Sequence, residues 1–406
     1  MTTLGGTRRA PLLALLAADG VSRAGNAITT VAIPLIALDI GGTPLAAAAA
    51  GVAATLPLVI GGLLGGVVVD RLGFRRASIV ADAASGATVL AVPVLASMDA
   101  LPLWALLVLV LLSNLLDTPG AAARESQLPE LAELAEVSLP RAAAAQATVA
   151  RTAVMLGAGL AGLLIATVGA APAMIVNAIA FAVAIVLTIV FVPRVELPAR
   201  EHAIEVDGGW KGITAGIRFV WRTPLVRAVV MMVVVTNAID IAGVTVLKPV
   251  YAQTLGHDGA ELGIMIACSS GGALVGAALY GIIGDRLPRH ALYVVLFLLA
   301  GVPTYLAMAI DPPFAVVAIV LALSGLAAGP LNPLIDSALF RLIPPDIRAR
   351  VIGAITAGVA AAMPLGSLVA GIGVDTLGLT TTLVLASAAY ATAVLSLGFG
   401  RRWKGF

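Results

Sequence analysis

Long apolar stretches separated by short polar turns dominate this chain. A hydrocarbon core of about 30 Å takes about 20 helical residues to cross. Twelve stretches meet that length: 10–38, 44–69, 77–98, 101–122, 142–168, 171–192, 224–250, 259–284, 290–310, 313–338, 349–374 and 377–400. Backbone N–H and C=O groups find no water in lipid, so these stretches must be helical. Membrane β-strands would alternate apolar and polar residues, and these do not. The expected fold is all-α, with twelve transmembrane helices in two six-helix bundles.

The charges in the turns orient the helices. With the N-terminus in the cytoplasm, Arg8, Arg9, Arg71, Arg75, Arg76, Arg124 and Arg141 fall on the inner side. Arg286, Arg289, Arg341, Arg348 and Arg350 join them, and both termini are cytoplasmic. The outer turns carry Asp39, Asp99, Asp258, Glu261, Asp311 and Asp375 and no Lys or Arg. The longest polar stretch divides the chain into bundles at 1–192 and 224–406, joined by a linker at 193–223. In that linker Trp210, Ile213, Ile217, Val220 and Trp221 share a helical face, which suits a helix lying on the membrane surface.

Composition narrows the function. Hydrophobic residues make up 60% of the chain and charged residues 11%, against about 25% charged in soluble domains. The solvent is therefore lipid, and membrane lipids are partners. A net charge of +2 with basic residues confined to short turns excludes nucleic acid as an expected partner. The lone Cys268 excludes an intrachain disulfide, and His202, His257 and His290 lie in or near turns, so no metal site is expected. No GxxxxGK[ST] loop occurs, which leaves ATP without a binding site of that kind. No convergent catalytic set stands within the membrane, so an enzyme is not expected.

Two turns repeat once per half: GLLGGVVVDRLGFRR at 62–76 and GAALYGIIGDRLPRH at 276–290. Such a repeated charged turn resembles the major facilitator superfamily. AADGVS, VDRLGFRRASIVADAASG, ARESQLPE, LIATVG, GIRFVW and ARVIGAITA are similar to the macrolide-exporter branch, in particular its Tap-type multidrug efflux proteins. The resemblance implies export of small amphiphilic drugs (tetracycline, aminoglycoside or macrolide-like) driven by proton entry, without a cofactor. It also implies a monomer in the cytoplasmic membrane. A siderophore, lipid or other metabolite is the alternative cargo. The gating motif maps onto Gly66, Asp70, Arg71, Gly73, Arg75 and Arg76, with Asp285 and Arg286 in the second copy. Phe74 and Pro288 depart from the pattern.

Charges inside the spans are costly unless paired or wet. Asp19 and Arg23 stand four residues apart in the first span, the spacing of a same-face pair. Asp19 is the leading proton-coupling candidate, and a permanent salt bridge is the structural reading. Asp117 and Arg151 are the next candidates and could pair with each other. Asp240 in the seventh span is the symmetry counterpart in the second half, and Lys248 beyond it could reach the interface. Asn26 and Asn237 are candidates for the substrate pathway; Asn114, Asn177 and Asn332 could line it or link helices. Gly157, Gly159 and Gly162 resemble the glycine-rich fifth-helix motif of drug:proton antiporters, with Ala158 where that motif has proline. Ordinary close packing is the other reading.

Asp70→Asn is expected to reduce transport while substrate binding persists, measured as vesicle uptake against equilibrium binding. Equal loss of both would exclude a gating role for the turn.

Overall fold

The computed structural model describes residues 5–193, 217–256, 259–283, 289–343 and 347–398. Every regular element among them is helical. The first six are α1 (Gly5–Gly41), α2 (Pro44–Leu72), α3 (Phe74–Ser97), α4 (Leu103–Leu134), α5 (Leu139–Val168) and α6 (Ala170–Phe191). The seventh span is α7 (Pro224–Ala242), a π-turn (Gly243–Leu247) and α8 (Lys248–Thr254). Then come α9 (Ala260–Ile283) and α10 (Arg289–Ile310). The tenth span divides at Gly329-Pro330 into α11 (Phe314–Ala328) and α12 (Leu331–Leu342). α13 (Arg348–Leu377) and α14 (Leu379–Gly398) complete the twelve spans.

One boundary changes the reading of the site. The apolar pattern ends the fourth span at 122, yet α4 continues to Leu134. Pro119 and Pro129 sit inside it, as prolines do in membrane helices where neighbours satisfy the freed carbonyls. Arg124 is therefore a helix residue and not part of an inner turn. Most of the surface-lying segment expected in the linker lies outside the described residues. Its last turn, 217–222, is helical and leads through Thr223 into α7.

The contacts group the chain into two units. The first contains Met1–Val195 together with Val244–Ser270, the second Glu196–Gly243 and Gly271–Phe406. In the first unit a core joins Val31 and Leu35 of α1, Ala158 and Ile165 of α5, and Met174 and Phe181 of α6. Leu262 and Ile266 of α9 belong to the same core. Lipid tails are as apolar as these side chains, so close packing rather than water exclusion drives the association. Glycine supplies the closeness. A Cβ on Gly162 would lie 2.9 Å from the Ala260 carbonyl oxygen and 3.1 Å from the Gly263 Cα. Gly259, at φ +88°, admits Leu35 and Ile165 against its backbone.

In the second unit the Tyr390 ring packs directly on Gly301. At the π-turn, a Cβ on Gly243 would stand 2.6 Å from the Tyr305 hydroxyl. That hydroxyl donates to the Ile239 carbonyl at 2.9 Å. A π-turn is a rare interruption of a helix, and here the buried Tyr305 is packed beside it.

Gly157 of α5 faces the backbone of Ala24, where a Cβ would come within 2.8 Å of the Ala24 Cα. Gly159 has only ordinary contact with Ala267. Gly157→Ala is expected to cost about 1–3 kcal/mol by overpacking, seen as a lower melting temperature in detergent. Gly159→Ala should leave the melting temperature near that of the parent.

Candidate functional site

The polar face of α1 organises the site. Asp19, Ser22, Arg23, Asn26 and Thr29 recur three or four residues apart, so they line one side of the helix. On α4, Ser113, Asp117, Gly120, Arg124 and Gln127 do the same. Asp82 comes from α3, between the buried Ser78 and Ser85.

These three faces meet around Arg124, whose side chain is 2% exposed. Its Nη1 donates to Asp82 Oδ1 at 2.7 Å, and Asp82 is fully buried. Its Nη2 lies 3.3 Å from Ser22 Oγ and 3.8 Å from Asp117 Oδ1. Its Nε faces Asp19 Oδ1 at 3.4 Å, an ion pair without hydrogen-bond geometry. Asp19 accepts its good hydrogen bond on the other oxygen, from Arg23 Nε at 2.9 Å. Arg23 also reaches the exposed Glu125 at 3.3 Å. Gly120 makes the α3–α4 approach possible: a Cβ there would lie 2.8 Å from that of Ala81 and 3.8 Å from Asp82 Oδ1.

A neutral branch leads away from the charges. Asn26 Nδ2 donates to Asp117 Oδ2 at 2.9 Å. The buried Asn177 of α6 donates to Thr29 at 2.6 Å and to Asn26 Oδ1 at 3.4 Å. Gly25 leaves the space that the Asn177 amide occupies. The cluster thus holds three carboxylates (Asp19, Asp82, Asp117) against two guanidiniums (Arg23, Arg124), with Glu125 at its exposed rim.

Three expectations are corrected. Asp117 does not pair with Arg151; it lies with Asn26 and Arg124, and Arg151 is half-buried with no ion pair among the described residues. Lys248 does not reach an interface but is buried at the start of α8. Arg124, an inner-turn residue by the charge pattern, is instead the centre of the cluster. Asp82 stands outside the sequence candidates, although an acid inside the third apolar stretch is a detectable signal. Asn177 does link helices, but nothing local pairs it with Asn26, because only the fold brings it beside α1.

The remaining candidates are placed separately. Asp240 stands near the end of α7, exposed, 3.4 Å from the Tyr305 hydroxyl. Asn237 donates to the Val233 carbonyl of its own helix at 2.8 Å. In the gating motif Gly73 turns at φ 73° between α2 and α3. Arg75 spends its guanidinium on the end of α6, donating to the carbonyls of Thr188 at 3.4 Å and Ile189 at 2.7 Å. A cation suits that helix terminus, where carbonyls lack partners and the dipole is negative. Arg76 is exposed. The surroundings of Gly66, Asp70 and Arg71 lie outside the described part of the structure, as do Asp285 and Arg286.

The backbone is similar to solved transporters. A point mutant of the nucleoside transporter NupG matches with a TM-score of 0.81 at 12% identity, over 96% of this chain and 100% of that one. A point mutant of the peptide transporter POT matches with a TM-score of 0.67 at 18% identity, over 95% and 93%. The major facilitator fold, shared by these solved proteins, is the class so defined. In sequence, residues 2–401 match the family described as transmembrane secretion effector, and the chain belongs to that family of the major facilitator superfamily. It is 34% identical over 385 residues to the multidrug efflux pump Tap of Mycolicibacterium fortuitum, covering 94% of this chain and 93% of that protein. It is 33% identical over 398 residues to the pump of the same name from Mycobacterium tuberculosis (strain ATCC 25618 / H37Rv), covering 96% and 94%.

Leaving a buried charge wholly unpaired costs about 3–5 kcal/mol, but Asp19 and Asp117 still face Arg124 when Asp82 is lost. Asp82→Asn is therefore expected to destabilise the protein by less than that, read as thermal aggregation in detergent. The double variant Asp82→Leu, Arg124→Leu should recover part of the loss. Equal stability of Asp82→Asn and the parent would contradict the pairing.

Proposed function

We propose that this protein exports amphiphilic drugs from the cytoplasm by alternating access, with proton entry as its energy source. The buried surplus of carboxylate over guanidinium around Arg124 carries the reading. A transporter coupled to protons needs a site that can hold one within the bundle and release it, and such sites in membranes are chains of Asp, Glu and His. The near full-length similarity to pumps named for multidrug efflux supports the cargo class. Tetracycline, aminoglycoside and macrolide-like compounds are the substrates to test.

The distribution of arginine supports cytoplasmic termini in the cytoplasmic membrane. The protein acts as a monomer without a resident cofactor.

Proteoliposomes loaded with a pH-sensitive dye test the coupling. Tetracycline, a macrolide or an aminoglycoside added across a proton gradient is expected to accelerate proton movement with the protein present. Collapse of the gradient by an ionophore should abolish drug accumulation. Drug accumulation that ignores the gradient would overturn the coupling. No accumulation of any of the three classes would overturn the cargo and point to a siderophore or lipid-like substrate.

A further inference from the structure

We propose that Asp117 is the carboxylate through which the Arg124 cluster takes up and releases a proton, with Asn26 and Arg124 as its positioning residues. The inference rests on the proton-coupled reading, and it follows from how the two guanidiniums are shared. Asp82 holds Arg124 at 2.7 Å. Asp19 holds Arg23 at 2.9 Å and faces Arg124 at 3.4 Å. Asp117 is left without a close cation, since Arg124 stands 3.8 Å away and is already bonded to Asp82. Two cations thus serve two aspartates, and the third carboxylate is the surplus one.

Access points the same way. The side chain of Asp117 is 21% exposed, against 1% for Asp19 and 0% for Asp82. Asp117 is thus the least enclosed of the three aspartates, with its Oδ1 turned into the buried side toward Arg124. Its oxygens are also differentiated. Oδ2 accepts from Asn26 at 2.9 Å, while Oδ1 has no hydrogen-bond partner among the described residues. Oδ1 is therefore the atom that gains the proton: an O–H bond forms on it, the carboxylate becomes a neutral acid, and nothing else is consumed. The buried part of the cluster then balances at two aspartates against two guanidiniums, with Glu125 on Arg23 at the exposed rim. Release restores the surplus negative charge and strengthens the pull on Arg124.

Asn26 is held in the orientation this requires. Asn177 donates to its Oδ1 at 3.4 Å, which leaves the Nδ2 group as the donor toward Asp117. The charged groups facing Asp117 are Asp19 and Arg23 from α1, Asp82 from α3 and Arg124 from α4 itself. Arg151 on α5 makes no ion pair with it.

Difference infrared spectra of the full chain in lipid, recorded across a pH titration, test this without any drug. The wild type is expected to show a protonated-carboxyl band that disappears as pH rises. Asp117→Asn should lose the band. Asp117→Glu should keep a titrating band at a changed frequency, which separates loss of the group from loss of fold. Asp19→Asn should retain a band, at an altered midpoint because a neighbouring charge is gone. A band that survives unchanged in Asp117→Asn, or a wild type with no titrating carboxyl, overturns the proposal. Tetracycline-driven proton movement measured on the same protein keeps the two readings apart. Its absence beside the expected infrared pattern sinks the coupling and leaves Asp117 as the exchanging group.

Discussion

A guanidinium buried in a helical membrane bundle is the constraint on which the first unit depends. Arg124 cannot be deprotonated, and a lone charge in that environment is costly. The chain answers by bringing an aspartate from α3 to 2.7 Å, a second from α1 and a third from its own helix. Those demands fix the rotation of three helices about their axes. They also explain Gly120, whose lack of a side chain lets α3 come close enough for Asp82 to reach Arg124. A hydrophobic core alone would tolerate small rotations of α1, α3 and α4. An ion cluster with defined donors and acceptors does not.

The rest of the unit follows the same logic in weaker form. Polar groups facing the interior find partners on neighbouring helices, as Ser85 does with the Ser113 carbonyl and Asn177 with Thr29. Where no polar group is present, small residues bring backbones together, as Gly157 does with Ala24. Specific polar contacts and close packing replace the water exclusion that organises soluble proteins.

The span count is legible in the sequence because the bilayer demands length and apolarity, and these are local properties. Most helix ends fall within a few residues of the expected ones. The exception, α4, shows why: PGAAARESQLPE contains two prolines and charges that elsewhere mark a turn, and only neighbouring helices make it a helix. The site is half legible. The Asp19–Arg23 spacing is a local signal, and the pair is present. The partners of Asp117 are not readable, because Arg124, Asn26 and Arg151 are all chemically suitable and only the helix packing chooses among them.

The contact between Gly162 and Gly263 has an implication of its own. Two glycine backbones meet there, with no side chain at the point of contact. Such a contact contains no titratable group, so its strength does not follow pH or salt; it responds to fit. The charge cluster around Arg124 is different in kind, held by opposite charges and by defined donors and acceptors. One end of the bundle is thus held by steric tolerance, while its polar interior answers to chemistry. A protein built this way can change the second without disturbing the first, and a single methyl group added at the seam would do what no shift in acidity can.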